Sequence, residues 1–312
     1  MYERLLNKII EYKKITIYRH ARPDGDCVFS SLAIYYFLKD NFKDKSIKLC
    51  GKDKFDLISK NDVVSDKFIK ESLAIILDTA TLERVDDERC ANANYIIKID
   101  HHPAVENYGD LNIVKPQTSS TCQIIAEIFM SKSFSKYKIS DKIYEYLYCG
   151  IVTDTLNFKT ANTTYSTLQV ASKLIKYGNL KPSNLVEYLT NVDLNTYSKI
   201  TNLRNKLIVK KNFGYIKLDK KTLKTIGLEP VEAKNQIDTI GNIKELNIWA
   251  LAVENNGGWD CSLRSKRSYV INSFASKYRG GGHANACAVK KISSKELDML
   301  FNELIEFSSK KH

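Results

Sequence analysis

Four short polar stretches in this chain of 312 residues carry side chains able to hold divalent cations. His20-Ala-Arg-Pro-Asp24-Gly-Asp26 spreads one imidazole and two carboxylates over a loop bent by Pro23 and Gly25. Asp78 ends the apolar run Leu73–Leu77, Asp100-His101-His102 ends the run Tyr95–Ile99, and Asp154 follows Gly150-Ile-Val-Thr. Each stretch is weak alone, because a Pro-Asp-Gly turn needs no metal and a lone histidine is more often structural than functional. Their positions are what count. In open α/β sheets ligands collect at the carboxyl ends of the strands, so clusters at several such ends converge on one crevice.

His20, Asp24 and Asp26, with Asp78, one histidine of the pair and Asp154, supply enough ligands for two divalent ions if one carboxylate bridges. The donors are oxygen and imidazole without thiolate, which suits two Mn(II), with Mg(II), Co(II) or iron as substitutes, better than structural zinc. Two such ions ~3.5–4 Å apart share a hydroxide, lower its pKa and aim it at phosphorus. The chemistry predicted is phosphoester hydrolysis.

A second motif lies far downstream. Arg279-Gly280-Gly281-Gly282-His283 follows Ser262-Leu-Arg264-Ser265-Lys266-Arg267. Consecutive glycines let backbone N–H groups approach an anion, and Arg264 and His283 can add charge-assisted hydrogen bonds to phosphate oxygens. A plain glycine loop between a helix and a strand Ala284–Lys290 explains the same residues, so this motif gains weight only beside the first four.

The elements that must position these groups follow from periodicity. Residues 1–14 space Leu5, Leu6, Ile9 and Ile10 on one helical face, Ile15–Tyr18 reads as a strand, and Ser30–Leu38 as a helix. Leu73–Leu77 and Tyr95–Ile99 read as buried strands, Ser119–Met130 and Ser140–Val152 as helices. Continuous apolar strands alternating with helices predict an α/β domain over 1–185, a parallel sheet with helices on both faces. A polar helical linker over 186–206 follows. Residues 207–312 read as a smaller α+β domain, with strands at Lys206–Leu218 and Asn247–Glu254, a hairpin turn at Asn255–Gly258 leading into Trp259–Arg264, and helices near 230–240, 268–278 and 294–308.

Composition bounds the class. Lysine plus arginine number 48 against 36 aspartate plus glutamate, a net charge of +12 that favours a phosphate, nucleotide or nucleic-acid partner but fits a generally lysine-rich surface equally well. No apolar run approaches the ~18–20 residues of a membrane span, and the N-terminus lacks a signal-peptide pattern, so a cytoplasmic protein with no membrane partner is expected. The seven cysteines form no C-x-x-C pair and read as reduced, mostly buried thiols. The fifth histidine, His312, is only the C-terminal residue.

With His20-Ala-Arg-Pro-Asp24-Gly-Asp26, Asp78 in Ile-Leu-Asp-Thr-Ala, Asp100-His101-His102, Gly150-Ile-Val-Thr-Asp154-Thr and Gly280-Gly-Gly-His283 in this order, the sequence resembles the DHH/DHHA1 phosphoesterases, in particular the nanoRNase group. The resemblance runs nearly end to end. It implies a catalytic DHH domain followed by a DHHA1 domain, with His20, Asp24 and Asp78 holding one manganese and Asp26, Asp78, His101 and Asp154 the other. It implies further that His102 faces the scissile phosphate, that Asp100 orients the histidine pair, and that Arg264, Ser265, Gly281, Gly282 and His283 grip the rest of the substrate. The activity implied is hydrolysis of very short RNA to mononucleotides together with removal of a phosphate from 3′-phosphoadenosine 5′-phosphate; a homodimer is also implied.

Two departures from the family pattern stand out: Leu156 where Thr-Gly is usual, and Ala284 where a glycine usually follows His283. They bear on the substrate pocket and touch none of the implied metal ligands. Rival readings with the same metal site are a cyclic or linear dinucleotide phosphodiesterase (c-di-AMP, pApA, pGpG), a single-strand DNA exonuclease and a manganese pyrophosphatase. A rival of another class is a basic RNA-binding regulator with a degenerate site, disfavoured because every ligand position is filled.

Overall fold

The computed structural model describes residues 1–52, 61–266 and 268–310; Arg267 of the basic run and His312 lie outside them. The chain divides into two compact units, Met1–Asn191 and Val192–His312.

The first unit runs α1 (Tyr2–Glu11), β1 (Lys14–Tyr18), α2 (Gly25–Asn41), β2 (Ser46–Leu49), α3 (Asp66–Lys70), β3 (Leu73–Leu77), β4 (Tyr95–Asp100), β5 (Leu111–Val114), α4 (Thr121–Phe129), α5 (Asp141–Asp154), α6 (Tyr165–Tyr177) and α7 (Pro182–Thr190). Its five strands are parallel in the order β2-β1-β3-β4-β5. β3 and β4 form because their residues are apolar on both faces: Leu73, Ile75 and Leu77 enter the large core under α1, α2, α4, α5 and α6. Ala74 and Ile76 face a smaller cluster closed by Ile69 of α3, Val85 and Cys90. Both faces are thus covered, the second by a thinner layer of short helical turns, as a parallel sheet requires.

Sequence patterning identifies neither β2 nor β5. Their burial alternates, Ser46 exposed and Ile47 buried in one, Leu111 and Ile113 buried in the other. Edge strands need fewer apolar residues than central ones, which removes the continuous run that marks β3 and β4.

The second unit runs α8 (Leu194–Arg204), β6 (Ile208–Lys210), β7 (Phe213–Leu218), α9 (Lys220–Ile226), α10 (Pro230–Lys234), β8 (Ile248–Asn255), β9 (Gly258–Ser265), α11 (Asn272–Lys277), β10 (Gly281–His283), β11 (Ala286–Ile292) and α12 (Ser294–Ser308). Its mixed sheet has the order β10-β11-β9-β8-β7-β6. The single strand expected over Lys206–Leu218 is instead the hairpin β6–β7, which turns at Lys211 with φ +53°. The glycine motif is not an open loop either. Gly281, Gly282 and His283 pair in antiparallel register with Ala288, Cys287 and Ala286.

Candidate active site

In the order β2-β1-β3-β4-β5 the direction of winding reverses between β1 and β3, and a crevice opens beyond the carboxyl ends of the strands at such a reversal. His20 lies two residues past β1, Asp78 one residue past β3, and Asp100 closes β4 with His101 and His102 after it. Tyr18 is in register with Ile76, and Leu77 with Ile99, so the three clusters end level with one another.

Helices bring the remaining groups. Asp24 is the N-cap of α2, its Oδ1 accepting from Cys27 N at 3.1 Å, which places Asp26 in the first turn. Asp154 ends α5, and α5 lies close on both α2 and α4: a side chain at Gly150 would strike Cys122 Sγ of α4 at 2.1 Å and meet Asp26 Oδ1 at 3.0 Å, and one at Gly25 of α2 would strike Thr153 at 2.6 Å. Those two glycines are the condition for bringing Asp26 and Asp154 together.

Asp78 sits at the centre. Its Oδ2 is 3.6 Å from His20 Nε2, and its Oδ1 is 3.4 Å from His101 Nε2, so each carboxylate oxygen faces a different histidine. Thr121 Oγ1 donates to Asp78 Oδ1 at 3.0 Å. The backbone of Asp78 is left-handed, φ +54°, a conformation aspartate tolerates better than most residues but which still costs energy. His20 Nε2 is also 3.8 Å from Asp24 Oδ2. Its Nδ1 donates to the Ala21 carbonyl at 2.9 Å, leaving Nε2 as the free donor atom toward the carboxylates. His101 Nε2 stands 3.6 Å from Asp154 Oδ2, and Asp26, His101 and Asp154 form one group of convergent ligand atoms. All of the expected donors, His20, Asp24, Asp26, Asp78, His101 and Asp154, therefore meet in one place.

The electrostatics are those of crowded anions. Burial, reinforced by the charges of Asp78 and Asp154, pushes the Asp26 carboxyl far above the usual range. Burial, with Asp78 and Asp24, pushes Asp154 up to about 8. Burial opposes a charge on His20, but the facing carboxylates of Asp24 and Asp78 outweigh it and raise its pKa. Asp24, open to solvent on one side, is held below its ordinary value: burial works against this, and the nearby His20 ring prevails. Carboxylates crowded closely enough to repel one another, beside imidazoles, are groups that could hold a divalent cation. The donor set fits divalent metal ions of the manganese or magnesium type.

Asp26 has a second role. Its Oδ2 accepts from Thr121 N at 2.7 Å and its Oδ1 from Cys122 N at 2.9 Å, so a carboxylate with 1% exposure caps the positive end of α4. Three further residues escape a reading of spacing. The Cys27 thiol lies within 4.8 Å of ligand atoms of His20 and Asp78, adding a soft donor to a set expected to hold none; burial pushes it up to about 12. Thr121 supports Asp78, its only sequence signal being the Ser-Ser-Thr capping cluster. Lys98, a charge inside an apolar strand, is the clearest signal left unused.

His102 stands beside the ligand group, its Nδ1 3.6 Å from Asp78 Oδ1, but has a partner of its own. Its Nδ1 is 2.8 Å from Asp100 Oδ1, which also accepts from the His102 backbone N–H at 3.2 Å. An ionised carboxylate only accepts, so the ring proton sits on Nδ1. Burial disfavours charge on His102, but the bond to Asp100 raises its pKa overall, and the same bond outweighs burial to keep Asp100 below its ordinary value.

In the second unit, Arg264 on β9 is partly exposed and 3.7 Å from Asp238, its Nη1 donating to the Leu263 carbonyl at 3.1 Å. The Ser265 hydroxyl donates to the Tyr269 carbonyl at 2.5 Å and accepts from Asn285 at 2.9 Å, so it is spent inside the fold and buried. Gly281, Gly282 and His283 are exposed. Gly282 has φ +136° and a side chain there would meet the Ala286 carbonyl at 2.5 Å, whereas one at Gly281 would meet open space.

Residues 14–151 match the DHH family, N-terminal domain, and residues 218–310 match the DHHA1 domain. The chain is 35% identical over 311 residues to the probable bifunctional oligoribonuclease and PAP phosphatase NrnA of Streptococcus mutans, covering 97% of each protein. It is 33% identical to the bifunctional oligoribonuclease and PAP phosphatase NrnA of Bacillus subtilis, covering 96% of each. Among solved structures, an exopolyphosphatase-related protein of Bacteroides fragilis shares the fold with a TM-score of 0.85 at 24% identity, over 98% of this chain and 95% of that one.

Proposed function

The chain belongs to the DHH family and is a phosphoester hydrolase, and from that premise we propose that it degrades very short RNA to mononucleotides with two bound Mn(II), and removes the 3′-phosphate of 3′-phosphoadenosine 5′-phosphate. The observation that carries the metal assignment is Asp78 facing His20 with one oxygen and His101 with the other. His20, Asp24 and Asp78 hold one ion; Asp26, Asp78, His101 and Asp154 hold the second. When bound, such ions activate water and neutralise charge on a phosphoryl group.

The other residues are assigned by their surroundings. His102 in its imidazolium form, favoured by its raised pKa, keeps Nδ1–H on Asp100 and turns Nε2–H to the scissile phosphate, so that the Nε2 proton can pass to the leaving oxygen. Arg264 with Gly281, Gly282 and His283 binds a further phosphate of the substrate, and Ser265 contributes by holding the turn that carries Arg264. The substrate class rests on the relatives' activities and on a net charge of +12, which suits short polyanions.

The test offers RNA dimers to pentamers, a much longer RNA and 3′-phosphoadenosine 5′-phosphate with Mn(II), using Asp78→Asn as the control for contaminating nucleases. Asparagine suits the left-handed backbone at this position better than alanine. Rapid mononucleotide release from the shortest RNAs, with AMP from the nucleotide, is the expected result. Faster cleavage of the long RNA, or of pApA and pGpG alone, would overturn it.

A further inference from the structure

Lys98 is fully buried in the middle of β4, where its neighbours Ile97 and Ile99 face the main core. Two residues on in the strand, its side chain and that of Asp100 share a face. Lys98 Nζ stands 3.3 Å from Asp100 Oδ2 and donates to the carbonyls of Ala80 at 2.8 Å and Glu106 at 3.0 Å, 4.8 Å above the ring of Tyr108. Tyr108 in turn donates to the Thr79 carbonyl at 2.8 Å. The ammonium therefore holds three things at once: the segment following Asp78, the segment following His102, and the carboxylate that orients His102. Among the described residues Asp100 Oδ2 accepts no hydrogen bond, and the Lys98 ammonium is the charge that faces it, while Oδ1 is held by His102.

A buried ion pair is seldom a gain in stability over apolar residues of similar size. Its value has to be sought in what it holds. We infer that Lys98 is a positioning residue for the reaction: it holds Asp100 turned with Oδ1 toward His102, so that the ring presents Nε2 to the substrate. The inference deepens the reading of His102 as the group facing the scissile phosphate and rests on it.

A double-mutant cycle tests it. Lys98→Met is expected to lower kcat on a short RNA by roughly 10–100-fold, with KM and Mn(II) affinity within twofold of wild type, as for other residues that act through a neighbour. Asp100→Asn is expected to lose a similar factor, and the combined variant no more than the worse of the two. Losses that multiply, an unchanged kcat in Lys98→Met, or a fall in Mn(II) affinity that accounts for the loss would each overturn the inference. If Lys98→Met does not fold, Lys98→Gln retains a donor for the Ala80 carbonyl without the charge, and the same expectations apply.

A wild-type protein that turned over no short RNA and no adenosine bisphosphate would defeat the functional reading, not this one. In that case the ring Nδ1–H of His102, observed by NMR in the metal-free protein, decides: it should be protected from exchange in wild type and exposed in both Lys98 variants. Equal protection in all three would overturn the positioning role.

Discussion

The two units hold their candidate residues in opposite ways. In the first, His20, Asp26, Asp78 and Asp100 are all buried and tied by hydrogen bonds, Asp26 and Asp78 from α4 and His20 and Asp100 within their own segments, so that each conformation is fixed before any ligand arrives. In the second, Gly281, Gly282 and His283 are exposed and Arg264 leans on a single carboxylate. Charge chemistry needs groups held in a dry, preorganised setting, whereas gripping a phosphate from solution needs accessible donors. Substitutions in the first unit should therefore act on kcat, and those in the second on KM.

The strongest way to break this contrast is Asp78→Asn. It should cut kcat by about 1,000-fold or more, ~4 kcal/mol of barrier, with a folded far-ultraviolet spectrum. Retention of a tenth of wild-type turnover would show that the centre is not organised around this carboxylate.

Next in size is the pH dependence of metal loading. Asp154, ordinarily titrating near 3.8, stands at about 8 in the metal-free protein, with burial as the first cause and neighbouring carboxylates as the second. A raised folded value contributes stability that is complete below about pH 4 and lost as the pH climbs toward 8. The metal-free protein should thus melt lower at about pH 9 than at about pH 6, and Mn(II) should restore the difference. Mn(II) affinity itself should weaken below about pH 8, by up to ~10-fold per pH unit for each proton displaced. Calorimetry showing a flat affinity across that range would remove the crowded-anion picture.

Arg264→Ala sharpens the other side. Loss of one charge-assisted contact should raise KM about 10-fold, ~1.4 kcal/mol, with kcat within twofold. A fall in kcat with KM unchanged would move Arg264 into the reacting centre and dissolve the distinction.

The smallest expected effect concerns a backbone. Leu156, Asn157 and Phe158 are all left-handed, with φ of +47°, +59° and +63°, just after the helix that ends at Asp154. A glycine at the first of these positions carries no such strain, which is the physical content of the departure at Leu156. Leu156→Gly should stabilise the protein by about 0.5–1 kcal/mol, the left-handed cost of roughly 1–2 less the chain entropy of glycine. A lower melting temperature would mean that the exposed leucine packs more than its surface suggests.

Much of the first unit is legible in sequence because its central strands are apolar without interruption and end in acid or imidazole. The positions of His20, Asp78 and Asp100 relative to those strands follow from that pattern alone. What is hidden is whatever depends on contacts distant in the chain: the alternating edge strands β2 and β5, the thiol of Cys27 turning toward Asp78, and the bond of Thr121 to the same carboxylate. Lys98 in Ile-Ile-Lys-Ile-Asp announces a buried charge in need of a partner, but its partners Ala80 and Glu106 lie on segments whose course no periodicity describes. In the second unit the hairpin at Asn255–Gly258 is plain from its turn residues, whereas the pairing of Gly281–His283 is not, since glycine has no strand preference to display.

Asp26 ties the first turn of α2 to that of α4. The N–H groups of Thr121 and Cys122 both terminate on its carboxylate, and nothing else in the first turn of α4 is so placed. Those two amides are in effect an isotopic gauge fixed to the centre. Their rate of deuterium uptake should change when the carboxylate gains a proton or a cation, and it can be followed at rest, with no substrate and no turnover.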